Sequence, residues 1–453
     1  MAVNVTETVE KARFAQKKFE MYTQEQVDEV VQCIGRVVYE NAEILGPMAA
    51  KETGMGAAAD KIVKCRSKSG MIWNYLRDKK SVGIIKRNPA RGLVYLAKPV
   101  GVVGAIQPCT NPVVTLMMNS MAVLKGRNSI IISPHPKSVK CSMKTVELIN
   151  EELDKIAVPK DLIQIIPEAD IQISKELMAL VDLIAATGGT DMVKAAYSSG
   201  KPSLGVGAGN TQVIIDRDAD IADAVSKVIA GRRFDNGIIC SGEQCVFIPD
   251  DMYDNIINEF KRNGVFVIHD PNQIEIMRHT IFPENKMNKK LIGKDPQKIA
   301  EAAGITIPAD TTVFFVELEK YGIEESLCDE KLCPVLVGLK YHTFDEAIQM
   351  AKENYFFKGA GHTASIHSYN KVHIEMAGCE LPVSRIMVNQ SCAITAGGSY
   401  ANGLNPTTTL GCGTWGGNSV SENITYKHFL NISRISYCIA DAHVPAAEEL
   451  WNK

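Results

Sequence analysis

Apolar positions outline the chain. Between residues 24 and 55 they recur at helical spacing (Val27, Val30, Val31, Ile34, Val37, Val38), which predicts one long amphipathic helix. Gly54 and Gly56 then break the pattern. From Ser81 to Ile106 the strings VGIIK, GLVYLAKP and GVVGAI, with Asn88-Pro89 as a turn signal, predict a hairpin that feeds a strand. Short apolar runs follow at 129–133, 162–166, 181–186 and 212–216, separated by helical stretches over 138–155, 173–180 and 192–199. Runs of that length joined by helices predict a parallel sheet covered on both faces, and a helix over 219–231 closes this half. A second α/β unit is expected from about Phe234, with strands at 246–249, 265–269, 313–318 and 334–339. Residues 389–423 are rich in Gly, Thr, Ser and Asn and predict loops, which carry function when a scaffold holds them. A last β-like run over 430–438 is expected to return to the first unit or to a partner subunit.

Composition narrows the function classes. A chain of 453 residues exceeds the size at which one core keeps growing, so more than one domain is expected. A net charge of −3 gives no electrostatic reason to expect nucleic acid or an anionic membrane as partner. No apolar run approaches the roughly 18 residues of a membrane span, and the polar character of residues 6–26 gives no reason to expect a secretion signal. Twelve cysteines without a C-x-x-C pair fit reduced thiols in a cytoplasmic protein, with neither a disulfide framework nor a metal site.

Three segments could carry chemistry. In FDNGIICSGEQC (234–245), Cys240 is flanked by Gly237, Ser241 and Gly242, a backbone-accessible turn where a thiol can meet a substrate. A free thiol has a pKa of about 8.5, so a nucleophilic role needs help from its surroundings; a buried structural cysteine is the bland alternative. ATGGT (186–190) follows a predicted strand and precedes a helical run, which is the arrangement that turns free amides toward a phosphate or merely reverses the chain. GVGAGN (205–210) lacks the G-x-G-x-x-G spacing and is rejected as a dinucleotide fingerprint. In GAGHTASIH (359–367), His362 is a candidate proton carrier or a structural histidine. In IQPCTNP (106–112), Thr110 and Asn111 are candidate oxyanion donors or simple turn formers.

Together KPVGVVGAIQPCTNP, FDNGIICSGEQ, EKLCPV (330–335), GAGHTASIH and NPTTTLGCGTWGGNS (405–419) resemble the aldehyde dehydrogenase superfamily over essentially the whole chain. Within it the chain resembles the CoA-acylating branch, closest to the CoA-dependent succinate-semialdehyde dehydrogenases. The resemblance implies an α/β, aldehyde dehydrogenase-like fold. It would hold a Rossmann-type parallel-sheet cofactor domain over 1–230, with 81–97 as a small β oligomerisation hairpin. A second α/β catalytic domain would span 231–423, and a C-terminal segment over 424–453 would return to the cofactor domain or a partner subunit.

By the same resemblance Cys240 is the nucleophile, and Asn111, with Thr110 as the competing choice, holds the oxyanion together with the Cys240 N–H. His362 is a site residue near the thiol. Ser133, Pro134 and His135 fall at the adenine ribose, Thr187, Gly188, Gly189 and Thr190 at the pyrophosphate, and Glu330 at the nicotinamide ribose. Gly207 is a further cofactor residue, and Ser241, Ile394 and Thr395 are substrate residues. The cofactor is NAD or NADP, and coenzyme A is the co-substrate.

Two departures inform the reading. Val206 stands where hydrolytic relatives carry a glutamate base, so the thioester on Cys240 should wait for the thiol of CoA. Ser133 stands where those relatives usually have lysine, which leaves NAD and NADP both open. The expected substrate is a small anionic aldehyde, succinate semialdehyde or sulfoacetaldehyde, with Lys68, Arg385 and the loop 391–399 as candidate contacts for its tail. Acetaldehyde, the reductive direction, and a hydrolytic enzyme using Glu243 as base are the rivals. A homodimer or homotetramer is expected.

Overall fold

The computed structural model describes residues 4–168, 170–440 and 442–452, with the side chain of Thr190 outside the described set. Among these residues two parallel sheets carry the chain. The first has five strands in the order Ile163–Ile165, Ser129–Ser133, Val102–Ile106, Leu183–Thr187, Ser203–Val206. The second has seven, in the order Val265–Ile268, Val313–Glu317, Val335–Tyr341, Glu243–Pro249, Thr211–Ile215, Ala364–His367, Ile386–Val388.

Alternation along the strands divides each sheet between two cores. Val103, Ala105, Ile130 and Ile132 face one apolar cluster, while Val102, Ile106, Ile131 and Ile184 face another. In the larger sheet Phe247, Phe314 and Val337 lie on one side and Val246, Phe315 and Leu336 on the other. Successive side chains point to opposite faces, and both faces are covered by apolar side chains.

Three expectations need correction. Residues 24–55 form two helices, Gln24–Glu40 and Ala42–Thr53. Asn41 ends the first by donating its side-chain amide to the Val37 carbonyl at 2.8 Å. The apolar spacing runs on because Leu45 and Ala49 enter the same core as Val30 and Ile34. The strand Thr211–Ile215, counted with the first half, belongs to the seven-stranded sheet, so the change of sheet falls between Val206 and Thr211. Periodicity reports that a strand is buried, not which sheet it joins. Finally, Ser203–Val206, Ala364–His367 and Ile386–Val388 were not anticipated; strands of three or four residues are too short to show a period.

The hairpin Gly83–Asn88 and Leu93–Pro99 forms as expected, and Leu430–Ser436 pairs antiparallel with its second strand. No helix among the described residues is long and apolar enough to cross a membrane.

Candidate active site

Parallel strands all end at one edge, and loops leaving that edge are where such sheets bind ligands, at the point where strand order reverses. In the five-stranded sheet the order reverses between Val102–Ile106 and Leu183–Thr187. A cleft of about 320 Å³ opens there. Its walls include Thr110, Asn111, Ser133, Pro134, His135, Thr187, Gly188, Gly189 and Gly207 from the first unit, and Cys240 and Glu330 from the second. Residues separated by more than 200 positions thus meet in one cavity.

The cleft fits a dinucleotide or a nucleotide-bearing thiol on structural grounds. A methyl group on Gly189 or Gly207 would meet nothing within 4 Å, so both backbones are open to a ligand. Gly189 precedes the helix Thr190–Tyr197, whose first amides are available to a phosphate. Both amide atoms of Gln107 are buried on the cleft wall without a partner, as is the hydroxyl of Thr408. Gln107 was not anticipated from sequence. The Ser133 hydroxyl is already shared with Ser174 at 2.9 Å, and His135 accepts from the Lys137 N–H at 3.0 Å through Nδ1.

The nucleophile candidate follows a strained turn. Asp235 and Asn236 adopt left-handed backbone with φ of 50° and 52°, and the chain then runs through Cys240 into the strand Glu243–Pro249. Cys240 is half-buried and packs beside Leu404 against the cluster of Met387, Cys392, Ala396 and Leu410. Burial above all, then the nearby Glu330 carboxyl, pushes its thiol up to about 12, while the buried Arg385 acts in the opposite sense. Glu330 is itself pushed up to about 8 by burial and by Asp329, and it accepts from the Gly209 N–H at 3.3 Å. Gly209 is fixed by close approach: a Cβ there would lie 1.9 Å from the Cys240 carbonyl oxygen.

Behind Asn111 lies a buried charge cluster. Lys64 donates to Asn111 Oδ1 at 2.5 Å and to the Asp235 carboxylate, and Lys61 donates to Asp235 at 3.1 Å and to the Thr110 carbonyl at 3.2 Å. Burial would raise Asp235, but Lys64 and Lys61 together bring it below the usual carboxylate range. Burial, then Lys64, lowers Lys61 to about 8. The spacing of Lys61, Lys64 and Lys68 on one helical face is visible in sequence, whereas Asp235, 171 positions beyond Lys64, is not.

Other candidates lie outside the cleft wall. His362 is fully buried; burial and then Arg385 lower it to about 3, so it is neutral, with Nδ1 shared with Thr363 Oγ1 at 2.9 Å. Ser241 donates its hydroxyl to the Cys392 carbonyl at 3.2 Å, and Thr395 donates to the Ser391 carbonyl at 2.7 Å. Ile394 is exposed. Arg385 donates to the carbonyls of His362 (2.9 Å) and Gly411. Glu243 accepts from the Cys392 N–H at 2.6 Å and from the Ser391 hydroxyl at 3.3 Å, which ties it to the loop after Val388. Lys68 reaches the same loop, donating to the Gly397 carbonyl at 3.3 Å.

Comparison with known proteins agrees with this architecture. Residues 1–270 match the aldehyde dehydrogenase family. The chain is 54% identical over 450 residues to the succinate-semialdehyde dehydrogenase (acetylating) of Clostridium kluyveri, covering 99% of both chains. It superposes on the acetylating aldehyde dehydrogenase of Geobacillus thermoglucosidasius with a TM-score of 0.94 at 36% identity, covering 97% of this chain and 98% of that one. It also superposes on the Rhodopseudomonas palustris propionaldehyde dehydrogenase with bound propionyl-CoA, with a TM-score of 0.87 at 27% identity, covering 96% and 95%. The two-unit fold and the cleft between its sheets are therefore those of a known enzyme class: the chain belongs to the aldehyde dehydrogenase family, and relatives that span it from end to end are acylating members.

Proposed function

We propose that this chain oxidises a small anionic aldehyde on Cys240 and passes the acyl group to coenzyme A. The observation that carries the reading is a half-buried thiol facing a nucleotide-sized cleft in which position 206 is an apolar valine. The Glu330 carboxyl beside the thiol is pushed up to about 8 by burial and by Asp329, and it already accepts from the Gly209 N–H.

The residues then divide the work. The Cys240 thiol gives its proton to water, the resulting thiolate adds to the aldehyde carbon, and the carbonyl oxygen becomes an alkoxide. The Asn111 amide Nδ2 and the Cys240 N–H donate to that alkoxide; one such donor is typically worth about 3 kcal/mol in the transition state. Gly188, Gly189, Gly207, Gln107 and Glu330 would hold the nicotinamide dinucleotide, which supplies a hydride acceptor when bound. The side chain of Thr190, read with this group in the sequence, lies outside the described residues. Loss of hydride leaves a thioester on Cys240. The thiolate of CoA attacks its carbonyl carbon, the Cys240–acyl bond breaks, and the enzyme thiolate leaves, to regain a proton or begin another cycle.

For the substrate tail Lys68 is the candidate cation, since the Arg385 guanidinium is already held by the carbonyls of His362 and Gly411. Its ammonium lies at the loop containing Ala396, which packs in the Cys240 cluster, and the Gly397 carbonyl is its recorded acceptor among the described residues. Ser241, Ile394 and Thr395 shape the same side. Succinate semialdehyde is the first substrate to try, sulfoacetaldehyde the second. The three-stranded sheet of hairpin and C-terminal strand is the contact surface for a homodimer or homotetramer in the cytoplasm.

The test is reduction of NAD and of NADP with each aldehyde, and with acetaldehyde, in the presence and absence of CoA. Turnover that requires CoA and disappears in Cys240→Ala is the expected outcome. Steady turnover without CoA, or an active Cys240→Ala, would sink the reading.

A further inference from the structure

Asparagine is among the best helix caps because its side-chain oxygen accepts from an amide of the first turn. Asn111 stands at the cap position of the helix Pro112–Lys125 and makes no such bond. Its Oδ1 instead accepts from the Lys64 ammonium at 2.5 Å, and its Nδ2 has only a long contact of 3.5 Å with Thr110 Oγ1. The amide is therefore oriented: turned over, it would set a donor against a donor. Nδ2 is the end left for the cleft.

Lys64 is in turn held. Its ammonium also meets Asp235, a fully buried carboxylate five positions before Cys240. Asp235 accepts from the Ala57 N–H at 2.8 Å and from Lys61 at 3.1 Å, and its own N–H donates to Asp60 at 2.8 Å. It sits so close to Gly56 that a Cβ there would lie 1.9 Å from Oδ1. Lys61 and Lys64, one helical turn apart, share a face and grip both Thr110 and Asn111. The two ammonium groups thus share the Asp235 carboxylate directly behind the Asn111 amide.

We infer that Lys64 is a positioning residue for the reaction: through its hydrogen bond to Oδ1 it fixes Asn111 with Nδ2 as oxyanion donor, and through Asp235 it ties that donor to the loop bearing the nucleophile. The inference rests on the proposed roles of Cys240 and Asn111. A purely structural ion pair would be just as buried, but its loss would act on activity independently of Asn111.

A double-mutant cycle separates the two. Asn111→Ala alone should lower kcat about 10²- to 10³-fold, the cost of one oxyanion donor. Lys64→Met alone should lower kcat by at least about tenfold while KM for the nicotinamide cofactor and the alkylation rate of Cys240 by iodoacetamide stay near those of the parent protein. In the Asn111→Ala background Lys64→Met should cost almost nothing further, because residues acting as a unit are non-additive. Equal losses in both backgrounds, or an unimpaired Lys64→Met, would overturn the inference. An unimpaired Asn111→Ala would instead overturn the oxyanion role on which it rests. If Lys64→Met does not fold, Lys64→Gln is carried through the same cycle. Its side chain is one atom shorter and retains a donor for Asp235, and equal losses in both backgrounds would again overturn the inference.

Discussion

Replacing Gly209 with alanine tests how tightly the fold holds the thiol. The new methyl would start 1.9 Å from the Cys240 carbonyl oxygen, 2.9 Å from its carbonyl carbon and 3.2 Å from the His362 ring. Ordinary carbon–oxygen contact requires a separation of about 3.4 Å, so the two backbones must part by more than about 1 Å, and packed interiors yield little. The seven-stranded sheet flanks both segments, with Thr211–Ile215 beginning two residues after Gly209 and Glu243–Pro249 three residues after Cys240, so the loop that moves is the one bearing the sulfur. A displacement of about 1 Å at a reacting centre can cost about 10²-fold, equivalent to roughly 2.7 kcal/mol in the barrier. Gly209→Ala should therefore keep a cooperative thermal transition but lose about two orders of magnitude in kcat/KM. The measurement is reduced nicotinamide formed under saturating CoA, beside a melting curve. A folded variant with turnover close to the parent protein would refute the reasoning.

Gly207→Ala should behave differently: its methyl meets nothing within 4 Å but projects at the cleft wall, so KM for the dinucleotide should rise while Cys240 alkylation stays unchanged; unaltered KM would count against the cleft. Burial and then Glu330 raise the Cys240 thiol, so removing that negative charge in Glu330→Gln should lower the thiol pKa and speed iodoacetamide labelling above pH 8; slower labelling would reverse the assigned sign. His362 is neutral in the fold, held to about 3, yet takes a proton near 6.5 when unfolded. Its contribution to stability is full above pH 6.5 and is lost as pH falls toward 3, by about 1.4 kcal/mol per unit. His362→Gln should flatten the dependence of the urea midpoint on pH between 6.5 and 4, and an unchanged slope would exclude His362 as the source.

The sequence was most legible where physics repeats itself along the chain. Runs such as Ile130–Ile131–Ile132 and Val313 through Val316 read as buried parallel strands and are so. Strands of three or four residues left no period, and the break at Asn41 was masked because both helices bury one core. In the site, segments marked by glycine, proline and a lone thiol pointed to one cleft, and their predicted members Thr110, Asn111, Ser133, Gly188, Glu330 and Cys240 line it. Groups defined by partnership were invisible: nothing in the string announces that Lys64 meets Asp235, or that Gly209 lies against the Cys240 carbonyl. Such pairs depend on a fold that must close before they exist.

The passage from Val206 to Thr211 has a mechanical meaning. Four residues carry the chain from the last strand of one sheet into the other, and an extended chain spans at most about 3.5 Å per residue. Asn210 anchors this tether by donating to the carbonyls of Cys328 (2.8 Å) and Lys358 (3.2 Å), while Gly209 bears on the sulfur loop and Gly207 lines the cavity. The short linker thus works as a gauge block between the two units. Because its glycines touch the sulfur loop at one point and the cleft wall at another, lengthening it by even one residue should detune both at once.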